Sequence, residues 1–94
     1  MEYNDRSVRA DALSVTEVNR YIKMLMNSDD ILSSVAVRGE ISNLKRHSSG
    51  HIYFTLKDEG GEIAAVSFRA DASRLNFPPK DGMRVVAFGS VDVY

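Results

Sequence analysis

Between Val35 and Asp58 the chain alternates twice, as VAVRGEIS and HIYFTLKD, around a polar, basic interval, and this pattern constrains the fold more tightly than any other stretch. Val35, Val37, Gly39 and Ile41 take every second place in the first segment, and Ile52, Phe54 and Leu56 do so in the second. A period of two marks a strand with one face on a core and the other free. The free face of the second strand carries His51, Tyr53, Thr55 and Lys57, and the interval holds Lys45, Arg46, His47, Ser48, Ser49 and Gly50. Cations, hydroxyls and an aromatic ring on one strand suit a single-stranded nucleic acid, whose bases stack and whose phosphates attract positive charge.

The flanking residues divide into further elements. Ser14-Val15-Thr16-Glu17 fits a capping box, and Val15, Val18, Ile22, Leu25 and Met26 follow at helical spacing. The spacing predicts a helix that ends near Asn27-Ser28 and lays its apolar face on a neighbouring sheet. Ser28-Asp29-Asp30 then caps a short turn before the first strand, Val35–Ser42, in which Gly39 is expected to mark a bulge or bend. The second strand is read as His51–Asp58. Asp58-Glu59-Gly60-Gly61 reads as a hairpin turn whose glycines take positive φ angles. In the third strand, Glu62–Arg69, Ala64, Val66 and Phe68 are assigned to the inward face. A short helix over Ala70–Leu75, a breaker-rich connection over Asn76–Gly82, and a long strand over Met83–Tyr94 bent at Gly89 complete the order. Residues 1–12 are polar and without period, and are expected to form a flexible lead-in.

Composition narrows the function classes. Ninety-four residues make one domain with a modest core. With no cysteine and only two histidines, a thiolate nucleophile, a disulfide and a Cys-based zinc site are excluded, and no cofactor or metal is expected. No apolar run is long enough for a bilayer, so a cytoplasmic protein with no membrane partner is expected. The net charge is −1, yet from Asn43 to Lys57 there are three cations and no acid. Such a patch attracts phosphates even on a near-neutral chain.

Helix, three meandering strands, short helix and long strand is the element order of an oligonucleotide-binding (OB) fold, a mainly β Greek-key barrel, here preceded by an α-helix. That barrel has five strands, and this chain is expected to be truncated before strand five, so residues 13–94 form an OB-fold domain incomplete at its C-terminal end. Open strand edges predict a homodimer or strand exchange.

Three runs carry a specific resemblance: LSVTEVNRYIK (Leu13–Lys23), VRGEISNLKRHSSGHIYFTLKD (Val37–Asp58), and the pair VSFR (Val66–Arg69) and GMRV (Gly82–Val85). They resemble the N-terminal domain of the large subunit of exodeoxyribonuclease VII. The resemblance implies an OB-fold domain that binds single-stranded DNA and serves a nuclease centre lying outside this chain. It also implies two partners, the remainder of the large subunit and the small subunit, and no catalysis by this fragment itself.

The expected DNA-binding residues are Arg38, Lys45, Arg46, His47, Ser49, His51, Tyr53, Thr55, Lys57 and Arg69. Tyr53 stacks on a base, the cations neutralise phosphates, and Ser48–Gly50 let the loop bring backbone N–H groups to phosphate. Structural roles compete with each: Tyr53 can cap a hydrophobic edge, His47 and His51 can be surface polar residues, and Arg38 can pair with Glu40. Phe54, Leu56, Val66 and Phe68 are read as core. Two other function classes stand beside DNA binding. Asp58, Glu59 and Glu62 could surround a magnesium ion in a nuclease, although acids in a hairpin turn are commonly just solvated. The helix Val15–Met26 and an open strand edge could serve docking or oligomerisation.

Overall fold

The computed structural model describes residues 11–93. The lead-in expected over residues 1–12 therefore lies, up to residue 10, outside the described residues, as does Tyr94. The elements are α1 (Val15–Ser28), β1 (Val35–Arg46), β2 (Ile52–Lys57), β3 (Glu62–Ser67), α2 (Arg69–Ala72) and β4 (Arg84–Gly89). They fall into two compact units, one comprising residues up to Val35 together with those from Gly89, the other Ala36–Phe88.

In the first unit the capping box forms as expected. The Glu17 N–H donates to Ser14 Oγ at 3.0 Å, and the Ser14 N–H donates to Glu17 Oε1 at 3.2 Å. Both bonds satisfy donors that an uncapped helix leaves open. Asp29 ends the helix and starts the next turn, its Oδ1 accepting from the N–H groups of Ile31 and Leu32, each at 2.9 Å. α1 itself carries no buried residue. Val15 is 79% exposed and Leu25 50%.

The long final strand also needs correction. β4 stops at Gly89, and the Val91 N–H donates instead to the Leu32 carbonyl at 2.8 Å. Asp92 meets Lys23 at 3.7 Å. The backbone beyond Gly89 thus bonds to the turn after α1.

The second unit is built on an open four-stranded sheet in the order β3-β2-β1-β4. β3 and β4 form its edges, and among the described residues it does not close into a barrel. The buried core is Ile41, Ile52 and Leu56. Ile41 stands across from Leu56, and Leu56 across from Ile63, so the buried side of β1 and β2 continues onto Ile63 of β3, which at this edge is 43% exposed.

This register overturns the expected inward face of β3. The turn places Lys57 opposite Glu62, and every following pair inherits that phase: Leu56 with Ile63, Phe54 with Ala65, Tyr53 with Val66. Ala64 and Val66 consequently share a side with Tyr53, and Phe68, just beyond β3, precedes α2. The turn itself also differs from expectation, since neither Gly60 nor Gly61 has a positive φ. The Asp58 carboxylate holds it, Oδ1 accepting from the N–H groups of Gly60 at 3.0 Å and Gly61 at 2.9 Å.

Gly39 was expected to mark a bend, but the irregularity in β1 lies further on, between Ser42 and Lys45, where Asn43 takes φ 53°. At Gly39 the constraint is close approach. A Cβ there would stand 2.8 Å from Leu56 Cγ and 3.0 Å from the Lys57 carbonyl oxygen. β1 continues to Arg46, four residues beyond the expected end.

Candidate nucleic-acid interface

The free face of β1, β2 and β3 consists of three rungs: Lys45–Tyr53–Val66, Ser42–Thr55–Ala64 and Glu40–Lys57–Glu62. The first holds a cation, a ring and an aliphatic side chain. The second is low, because its side chains are small. The third is acidic in balance, and Lys57 Nζ lies 3.8 Å from Glu40 Oε2. Glu40 therefore pairs across the strands with Lys57, whereas the sequence suggested Arg38. Arg38, two residues before Glu40 on β1, shares the exposed face by strand alternation.

Position on the first rung depends on the bulge. In an unbroken strand Lys45 would share the side of Ile41, since both are odd-numbered. The register slip between Ser42 and Lys45 inserts one step, brings Lys45 opposite Tyr53 and sends Arg46 to the side of Ile52. Arg46 Nη2 then donates to the Pro79 carbonyl at 2.9 Å. The bulge has its own anchor, the Leu44 N–H donating to Asp81 Oδ1 at 2.9 Å.

Beyond the first rung, His51 meets Phe68 edge to face, the ring centroids 5.5 Å apart. Phe68 is 52% exposed and Tyr53 39%. Two aromatic rings therefore line this end of the sheet. Sequence reasoning missed Phe68 by assigning it to the core. The count of residues from the Asp58 turn was the signal that placed it, because hairpin length sets register.

The loop from His47 to His51 is tightly cross-bonded. The His47 N–H donates to the His51 carbonyl at 2.9 Å, and the Gly50 N–H donates to the His47 carbonyl at 2.9 Å. Gly50 takes φ 94°, which closes this three-residue connection. The Ser49 N–H donates to His47 Nδ1 at 3.1 Å. The Arg69 N–H likewise donates to His51 Nδ1 at 2.8 Å. The N–H groups of Ser49 and Gly50 are thus engaged inside the loop, contrary to the expectation that they reach phosphate. What the loop presents outward is side chains. His47 lies edge-on to Tyr53, with centroids 6.3 Å apart.

The structure thus brings Lys45, His47, His51 and Tyr53 together with Phe68, holds Arg46 at the end of β1 and Arg69 at the start of α2, and leaves Thr55 and Lys57 on successive rungs away from them. Ser49 serves the loop, its Oγ 2.8 Å from His47 Nδ1. Asp58 holds its turn, and among the described residues no group of three or more His, Asp or Glu is arranged to hold a metal ion. No helix among them is long and apolar enough to cross a membrane.

A family model described as an OB-fold nucleic acid binding domain matches residues 13–94. The exodeoxyribonuclease 7 large subunit of Clostridium acetobutylicum is 57% identical over 82 residues, covering 87% of this chain and 21% of that protein. The same-named protein of Alkaliphilus metalliredigens is 53% identical over 83 residues, 88% of this chain and 20% of its own length. That of Clostridium tetani is 51% identical over 82 residues, covering 87% and 21%. The chain spans about a fifth of the length of the curated relatives it matches.

Proposed function

This chain belongs to the OB-fold nucleic-acid-binding domain family, in the form found in exodeoxyribonuclease VII large subunits, and from that premise we propose that it binds single-stranded DNA and presents the strand to a nuclease centre elsewhere in a longer polypeptide. The observation that carries the reading is the rung Lys45–Tyr53–Val66: an exposed ring with a cation beside it on a strand face. A base stacked on Tyr53 contributes about 1–3 kcal/mol whatever its identity, and a duplex withholds its bases from such a face. Lys45, Arg46 and Arg69 supply charge for the phosphates. The acidic rung Glu40–Lys57–Glu62 repels them and directs the strand toward the Tyr53 end.

In this reading the described residues do not hydrolyse DNA. The partners are the strand itself, the rest of a large subunit and a small subunit, and the compartment is the cytoplasm. Titration of a labelled oligonucleotide, single-stranded against duplex, tests the proposal. The single strand binds more tightly, binding weakens with salt, and Tyr53→Ala combined with Lys45→Ala weakens it further. Equal affinity for duplex, or no binding at low salt, would overturn the reading.

A docking role has its own observation. Phe88 on β4 is 83% exposed and Val86 55%, and alternation puts both on the face of that edge strand opposite Val85 and Ala87. Large apolar side chains on an edge strand favour pairing with another chain. Sedimentation at rising concentration tests a homodimer or exchanged strands, and a monomer throughout excludes them.

A further inference from the structure

Arg46 and Arg69 arrive at one place from different elements. Arg46 ends β1, and Arg69 opens α2. Between them, walled by His47, Gly50 and His51 and floored by Ile52, lies an open cleft of about 320 Å³. No carboxylate lines it. Its position is fixed at several points. The Arg69 backbone is tied to His51 Nδ1, and its stem lies over Gly50, where a Cβ would stand 2.7 Å from Arg69 Cγ and 2.9 Å from Cδ. Gly50 is therefore the one residue type that both adopts φ 94° readily and admits this stem. Arg46 is held by the single bond from Nη2 to the Pro79 carbonyl. A guanidinium has five N–H donors, so most of those on Arg46 remain available. Among the described residues neither arginine has an ion-pair partner.

Two arginines and no acid line the cleft over an apolar floor, a combination that suits an anion. Planar forks match the oxygens of a phosphate group in pairs, which a single lysine does not. The bulge that turns Lys45 toward Tyr53 also turns Arg46 away from it, which separates this cleft from the stacking face.

We propose that the cleft is a phosphate subsite for a bound DNA strand, with Arg69 and Arg46 as its ligands. This rests on the nucleic-acid-binding reading above. The phosphate is either an internal phosphodiester or a phosphorylated strand end, and both present anionic non-bridging oxygens, two on the diester and three on the end.

The test uses the whole chain and short thymidine oligonucleotides bearing a 5′-phosphate, a 3′-phosphate or hydroxyl ends. Arg69→Gln and Arg46→Gln each weaken binding about tenfold, as expected for loss of a charge-assisted contact, and each lowers the slope of log affinity against log salt by about one. Arg69→Lys keeps the charge and the stem over Gly50, retains the slope and recovers only part of the affinity. An end phosphate that strengthens binding to the native chain but not to Arg69→Gln assigns the cleft to a strand end. Equal affinities for all ends, with the slope still lowered, assign it to an internal phosphodiester. Inorganic phosphate alone, followed by amide chemical shifts, moves Gly50, His51 and Arg69 in the native chain. Unchanged affinity and slope in both arginine variants, with Tyr53→Ala still weakening binding, overturn the subsite and spare the wider reading, as does phosphate leaving those amides unmoved. Failure of the native chain to bind any oligonucleotide at low salt removes both.

Discussion

Lys45 stands directly across from Tyr53 because β1 slips between Ser42 and Lys45. Strand alternation alone would have put that lysine on the side of Ile41. A single left-handed residue, Asn43 at φ 53°, thus decides which charge lies beside the ring and which lies in the cleft behind it.

The bulge predicts the response to substitution at Asn43. Asn43→Gly keeps the geometry without strain. Asn43→Val destabilises the fold by about 1–2 kcal/mol, because a β-branched residue is disfavoured at positive φ. The urea midpoints of the two variants measure the difference. Equal midpoints would be inconsistent with a left-handed residue 43.

Gly39→Ala acts through packing. Its added methyl would meet Leu56 Cγ at 2.8 Å and the Lys57 carbonyl at 3.0 Å. Leu56 is only 4% exposed and has little room to retreat. A loss of about 1–3 kcal/mol is expected for such overpacking. Equilibrium unfolding checks it, and a variant as stable as the native chain would mean that β1 and β2 can part at this point.

Phe68→Ala separates function from stability. The ring is half exposed and meets the His51 ring edge to face, so its removal costs about 1 kcal/mol or less in folding. If Phe68 stacks beside Tyr53, oligonucleotide affinity falls by about 1–3 kcal/mol. Unfolding and binding titrations on the same sample read both effects. A stability loss with unchanged affinity would return Phe68 to a structural role.

Ser14→Ala removes an acceptor for the Glu17 N–H and breaks one half of the capping box. Replacement of such a cap costs about 1 kcal/mol. Because α1 buries none of its residues, the cost appears locally. Amide exchange quickens in the first turn of α1, while Ile41, Ile52 and Leu56 keep their protection. Uniformly faster exchange would show that helix and sheet unfold together.

The sequence by itself determined the elements with local causes. The capping box started α1 where Ser14 and Glu17 predicted. The alternation of Ile52, Phe54 and Leu56 fixed which side of β2 faces inward, since apolar spacing and side-chain hydrogen bonds act over a few residues. Tertiary structure decided relationships between strands. The phase of β3 followed from the turn at Asp58, where a carboxylate, rather than positive-φ glycines, sets the geometry and brings Val66 to the Tyr53 side. The split between Lys45 and Arg46 followed from a bulge anchored by Asp81, 37 residues away from Leu44 in sequence. The end of β4 at Gly89 followed from a bond between Val91 and Leu32. Alternation states that two faces exist, but a one-residue slip exchanges them, and only the partner across the sheet determines whether the slip occurs.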